Sequence, residues 1–166
     1  MLKYSDLIRS SLTNKKVNDE TIRPLERAGK LKFFFPCIEK WLFYIDKYLL
    51  FPIDLLTYVK KTKLEKNIIY HITDHSNALY ALFLKGQSLV VTCHDVLAIR
   101  SAIGEINQNP TKLTGRLLQK YIFNGLKSIP RIVCVSENTA RDLHRLIGNH
   151  TLKVTTILNP LNFDYF

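Results

Sequence analysis

Hydrophobic and polar positions divide the chain into a regular C-terminal part and an aromatic N-terminal part. From Asn67 onward, short apolar runs alternate with helical spacing. Ile68–Ile72 predicts a strand, Asn77–Leu84 a short helix, Ser88–Thr92 a strand and Gly115–Leu126 a longer helix. Arg131–Val135 predicts a further strand, Glu137–Ile147 a helix and Lys153–Leu158 a last strand. Strands separated by helices imply βαβ units with right-handed crossovers, hence an α/β domain on a parallel sheet. Within Ser88–Asp95, SLVVTCHD, the unbroken run of Leu89, Val90, Val91 and Thr92 reads as a central strand buried on both faces.

The N-terminal part follows other periods. Leu2–Leu12 carries apolar residues at 2, 4, 7, 8 and 12, which predicts a helix, and Asn14–Lys32 is a polar connection containing Pro24 and Gly29. Lys32–Lys66 is crowded with aromatics, is broken by Pro36 and Pro52, and ends in the basic run KKTKLEK. Between the prolines Ile38, Trp41, Leu42, Ile45, Tyr48 and Leu49 fall on one helical face, with Glu39, Lys40, Asp46 and Lys47 largely elsewhere. Two readings stand: a core helix, or an aromatic and basic surface suited to a membrane interface or an amphiphilic acceptor. The expected organisation is one domain over residues 1–166, with a helical, aromatic and basic part (1–66) and regular βα units (67–166).

Composition narrows the class. With 166 residues, 46% of them hydrophobic and 23% charged, the chain suits one packed globular domain. A formal charge of +10 favours an anionic partner: nucleic acid, a phospholipid surface or a phosphorylated substrate. Lys112, Arg116, Lys120 and Lys127 lie in a stretch without Asp or Glu between Ile106 and Pro130, which reads as a solvated helix face or an anion-binding one. The N-terminus is charged where a signal peptide needs an apolar region, and Trp41–Leu56 is interrupted by Asp46, Lys47 and Asp54, so no membrane span is expected. Cys37, Cys93 and Cys134 show no metal-ligand spacing and fit a reduced, cytoplasmic setting.

The polar residues collect where strands end. Thr73-Asp74-His75-Ser76, Cys93-His94-Asp95 and Ser136-Glu137-Asn138 each follow a predicted strand, and open α/β sheets bind ligands beyond the carboxyl ends of their strands. Three neighbouring ends would form one polar rim, with His94 as the first functional candidate. Each group also has a structural reading. Asp74 or Ser76 can cap a helix, His94 and Asp95 can satisfy each other and cap Val96–Ile99, and Ser136 with Glu137 suits a helix N-terminus. That N-terminus equally suits an anion or a sugar hydroxyl. No Walker A, GxGxxG, GxSxG or HExxH sequence is present. Cys93 and His94 do not form a nucleophile pair, because adjacent strand residues point to opposite faces.

VVTCHDVLAIRSAIGE, TGRLLQKYIFNGLKSIPRIVCVSENTARDLHRL and KVTTILNPLNFDYF carry, in order, a strand ending T-x-H-D, a basic helix, a strand I-V-C-V-S-E with T-x-x-D-L, and a strand ending in an N-x-L-N turn. Over Tyr70–Phe166 this resembles the N-terminal, acceptor-side domain of family 4 glycosyltransferases, the retaining group with the GT-B fold. The resemblance implies a Rossmann-like parallel sheet flanked by helices, one half of a GT-B fold. It also implies sugar transfer from a nucleotide-sugar donor to an acceptor hydroxyl, with no metal and no cofactor besides the donor itself.

By that resemblance His94 lies in the cleft near the transferred sugar, and Asp95 supports its loop. Ser136 and Glu137 border the cleft, His75 stands on the acceptor side, and Asn159 marks the passage to a second domain. The chain departs from the family in having Asn159-Pro160 where Asn-Gly is usual, since proline excludes the positive φ that glycine permits. No strand precedes the first helix, and the donor-binding domain with its glutamate pair is not in the sequence. The expectation is therefore a partial enzyme, inactive alone and peripheral at the inner face of the membrane. The alternative is a non-catalytic basic module on an anionic membrane or nucleic acid. Nucleic acid is not expected, because no binding motif accompanies the charge.

Overall fold

The computed structural model describes residues 2–15, 17–34, 36–65, 67–106, 111–148 and 153–158. The chain forms two compact units, Met1–Asn67 and Ile68–Phe166.

The first unit opens with α1 (Leu2–Asn14). A connection without regular structure leads to a 3₁₀ helix at Ala28–Phe33. That connection is tied down where Tyr58 Oη donates to Glu20 Oε2 (2.7 Å) and Arg27 pairs with Asp54 (2.9 Å). Next come α2 (Glu39–Ile45), a π-turn (Asp46–Leu50) and α3 (Phe51–Lys61). Their joints keep right-handed helical backbone, so the three run on as one rod.

Two expectations are corrected here. Pro52 does not break the helix. Proline lacks an N–H and its ring presses on the carbonyl four residues earlier, but the turn before it is widened, with Phe51 N–H reaching back to Asp46 O. Nor does Asp46 lie on a polar face: it is 3% exposed, and its carboxylate accepts N–H groups from Ala28 (2.8 Å), Gly29 (2.8 Å) and Arg27 (3.2 Å). Burial pushes this carboxyl up, but the three backbone donors and the Arg27 charge hold it below the usual carboxylate range. Asp46 thus caps the 3₁₀ helix from 17 to 19 residues further along the chain.

The second unit holds a four-stranded parallel sheet in the order β1-β2-β3-β4, formed by Ile69–Ile72, Ser88–Cys93, Arg131–Cys134 and Lys153–Thr156. The register pairs Tyr70 with Leu89, Cys93 with Cys134 and Cys134 with Thr156. Between β1 and β2 lies a 3₁₀ helix (His75–Phe83). Between β2 and β3 lie α4 (Leu97–Ala102) and α5 (Leu113–Lys127), and between β3 and β4 lies α6 (Glu137–Ile147). β2 is central as expected, with Val91, Thr92 and Cys93 all buried. Leu126, Ile129, Ile132 and Leu143 complete the core beneath the helices.

Two features fix these helices. Gly125 lets α5 lie directly on the 3₁₀ helix, where a β-carbon at that position would run into the Ala78 carbonyl. Arg100, Glu105, Asp142 and Arg145 link α4 to α6 through contacts of 2.6–3.0 Å. The chain leaving the end of β2 is thereby held against the helix that follows β3.

Candidate functional site

β1, β2 and β3 are neighbours and parallel, so their carboxyl ends lie side by side. His94 follows β2 directly and is half-buried. Its Nε2 donates to the Thr73 carbonyl (3.1 Å) in the turn after β1. Its own carbonyl accepts from Thr139 Oγ1 (3.2 Å) in the first turn of α6, after β3. One residue therefore joins three strand ends.

Thr139 owes its position to the helix cap. Ser136 is extended and its Oγ accepts the Thr139 N–H (3.1 Å). The two hydroxyls are 2.9 Å apart, and since Thr139 gives its proton to His94, Ser136 Oγ–H donates to Thr139 Oγ1. Glu137 is exposed in the first turn, where its charge suits the helix dipole.

Asp95 is exposed and accepts the Leu97 N–H (3.0 Å), steadying the start of α4. Asp74, buried at the start of the first 3₁₀ helix of this unit, accepts Ser76 N–H (2.9 Å) and Ser76 Oγ–H (2.8 Å). His75 is 7% exposed, and its Nδ1, 3.4 Å from Asp74 Oδ1, makes no hydrogen bond among the described residues. Burial lowers the pKa of His75, opposed by the charges of Asp74 and Asp95 and reinforced by His94. That coupling puts His75, His94 and Asp95 in one electrostatic neighbourhood.

Cys93 faces the core, fully buried, with its pKa pushed up by its Cys134 neighbour and by burial. It is a core thiol, as the strand alternation requires. Among the described residues no three His, Cys, Asp or Glu side chains gather as a metal site.

The structure thus gathers His94, Asp95, His75, Ser136 and Glu137 around one rim. Asn159 lies outside the described residues. Lys112, Arg116, Lys120 and Lys127 are exposed on or beside α5, away from the strand ends in sequence and grouped by helical spacing. Arg116 Nε donates to the Thr111 carbonyl (3.0 Å) and Lys127 Nζ lies 4.4 Å from the centre of the Phe123 ring. Among the described residues no helix is long and apolar enough to cross a membrane.

The family model Glycosyltransferase Family 4 matches residues 26–165. The chain belongs to glycosyltransferase family 4. No curated protein and no solved structure matches it. The family-4 assignment and the parallel α/β sheet agree with the fold expected from the sequence, and the match includes the aromatic segment as well as the βα units. Sequence reading missed Thr73 and Thr139, the two partners that fix His94 in this family-4 domain. Thr139 had a visible signal in the Ser136-x-x-Thr139 spacing of a helix cap. It also missed His71, whose Nε2 meets Thr92 Oγ1 (2.9 Å) across β1 and β2.

Proposed function

We propose that this family-4 chain is the acceptor-side half of a retaining glycosyltransferase that moves a sugar from a nucleotide-sugar to an acceptor hydroxyl. The observation that carries the reading is the double tether of His94, its ring to Thr73 and its carbonyl to Thr139. Such a tether sets the half-buried ring at the meeting point of three strand ends, where a parallel sheet presents ligands.

Glycosyl transfer builds positive charge on the sugar and negative charge on the departing diphosphate, so holding the reactants in line and stabilising that charge supply most of the rate. In this reading His94 contacts the sugar being transferred. Asp95, through its cap on Leu97, keeps the His94 turn in shape. His75 faces the acceptor side. Glu137 and the N-terminal turn of α6 border the cleft. Because the Ser136 hydroxyl is engaged with Thr139, Ser136 contributes as frame. Asn159 leads towards a second Rossmann-like domain that holds the donor diphosphate.

A membrane-bound acceptor is favoured by α5. Its basic positions Lys112, Arg116 and Lys120 run beside exposed Leu113, Leu117 and Tyr121, a basic stripe next to an apolar one. That pairing suits the anionic inner face of a membrane, where the enzyme works as a peripheral protein.

Calorimetric titration of the chain with a panel of nucleotide-sugars, run beside a transfer assay, tests this division of labour. The expected result is neither micromolar donor binding nor turnover by the chain alone, with transfer appearing when a donor-binding domain is joined to it. Turnover by the chain alone would overturn the assignment of the donor site to another domain.

A further inference from the structure

We propose that the rod formed by α2, the π-turn and α3 lies flat in the interface of an anionic bilayer, inserting the stripe Trp41, Ile45, Leu49, Ile53 and Leu56. This deepens the membrane part of the reading above and is independent of the glycosyl-transfer part.

Every residue of the stripe is between 40 and 62% exposed, while Leu42, Asp46, Phe51 and Leu55 on the opposite side are buried. The rod therefore keeps its apolar stripe outside the unit's core. An exposed run of this size is a recognised mark of an interaction surface. The stripe spans about 22 Å at 1.5 Å per residue.

The π-turn makes the stripe straight. In an uninterrupted α-helix a four-residue step advances about 400°, so the three steps from Trp41 to Ile53 would carry the stripe about 120° around the axis. The wide turn at Asp46–Leu50, closed by Phe51 N–H on Asp46 O, absorbs one residue, about 100°, and returns Ile53 to within about 20° of Trp41. The same turn accommodates Pro52. The helix irregularity thus aligns apolar groups that a regular helix would scatter.

Charge selects the occupant. Exposed Lys40 and Lys60 stand at the two ends of the stripe, and the ammonium groups of Lys40 and Lys47 lie 5.7 and 5.4 Å from the ring centres of Tyr44 and Tyr48. Of the three acids within the rod, Asp46 is buried, Asp54 is paired with Arg27, and Glu39 is exposed at the N-terminal end, where its charge suits the helix dipole. Trp41 and Tyr44 pack edge to face at 5.9 Å, and Tyr44 and Tyr48 at 5.5 Å, a ring cluster of the kind that settles at headgroup depth. Two copies paired through this face would bring lysine against lysine. Nucleic acid would leave Ile45, Leu49 and Ile53 without base-like partners. Apolar depth with a cationic border matches anionic lipid.

Trp41 is the single tryptophan of the chain, so its fluorescence reports on this stripe alone. The full chain is titrated with vesicles of phosphatidylcholine, and with vesicles of equal parts phosphatidylcholine and phosphatidylglycerol, plain or carrying brominated acyl chains. The proposal expects a blue shift and quenching by bromine in the anionic vesicles only. It also expects that Leu49→Gln with Ile53→Gln lowers partitioning at least about tenfold with an unchanged far-ultraviolet dichroism spectrum. Wild-type Trp41 that is not quenched when the protein is fully vesicle-bound overturns the proposal, whatever the variants do. A blue shift that follows protein concentration without vesicles would assign the face to a second copy, and also overturns it. Combined replacement of Arg116, Lys120 and Lys127 by Gln separates the two surfaces: it weakens attachment, but the bound fraction keeps its Trp41 quenching.

Discussion

The hydroxyl of Thr139 donates to the main-chain carbonyl of His94 across 45 positions of sequence, binding the first turn of α6 to the end of β2. Its value lies in geometry, because the same threonine is anchored by Ser136 and the His94 ring by Thr73. Thr139→Val keeps the shape and removes the hydroxyl, leaving the His94 carbonyl without this donor, at a cost of about 1–3 kcal/mol. Thr139→Ser retains the donor. On the proposed reading, with the chain joined to a donor-binding domain, valine should depress transfer well beyond its effect on the unfolding midpoint, and serine should restore most of it.

Acid should act on the second unit in two stages. His75 is held neutral by burial, so its folded pKa lies below the ordinary value of 6.5. Above 6.5 neither state carries the proton. As pH falls below 6.5 the unfolded chain takes it first, and stability declines by up to about 1.4 kcal/mol per pH unit until the folded pKa is reached. Glu105, held at about 2 by Arg145 and Arg100, contributes stability above its ordinary 4.5 that fades as pH falls from there towards 2. Urea unfolding measured across pH should show both slopes, and His75→Gln should flatten the upper one alone.

Gly125 should tolerate no side chain. With the Ala78 carbonyl where a β-carbon would go, Gly125→Ala must push α5 off the 3₁₀ helix, and overpacking of this kind costs about 1–3 kcal/mol. Chemical denaturation reads the cost. A stability equal to wild type would mean that α5 does not sit this close.

The basic face of α5 should govern salt-sensitive attachment. Replacing Arg116, Lys120 and Lys127 together by Gln removes three positive charges, each worth about 1 kcal/mol near an anionic surface. Co-sedimentation with anionic vesicles should weaken strongly at low salt and less at high salt, while neutral vesicles show no difference. Unchanged binding by the triple variant would locate the anionic contact elsewhere.

Much of the fold could be read from the chain because its signals are local. Leu89–Thr92 is a short run rich in β-branched residues, and it became a central strand. Glu137–Ile147 was bounded correctly because Ser136 caps one end and Gly148, at φ 75°, closes the other. The rim was visible as polar residues following strands. What escaped is non-local. Asp46 looked like a surface carboxylate because its donors lie 17 to 19 residues away, at Gly29, Ala28 and Arg27. Pro52 looked like a break because the π-turn that accommodates it leaves no residue signature. Thr139 could be read as part of a cap, but its second bond depends on how β2 and β3 align.

His94→Ala in the chain joined to a donor-binding domain, as the proposed function requires, tests the central claim most directly, with sugar transfer and thermal unfolding followed on the same preparation. The tethered ring is the group assigned to the sugar, so kcat/KM should fall by about 10²–10³. The unfolding midpoint should fall only slightly, since Ala keeps the carbonyl that receives Thr139. Transfer that survives the substitution, or that falls only in proportion to folded protein, would contradict the account.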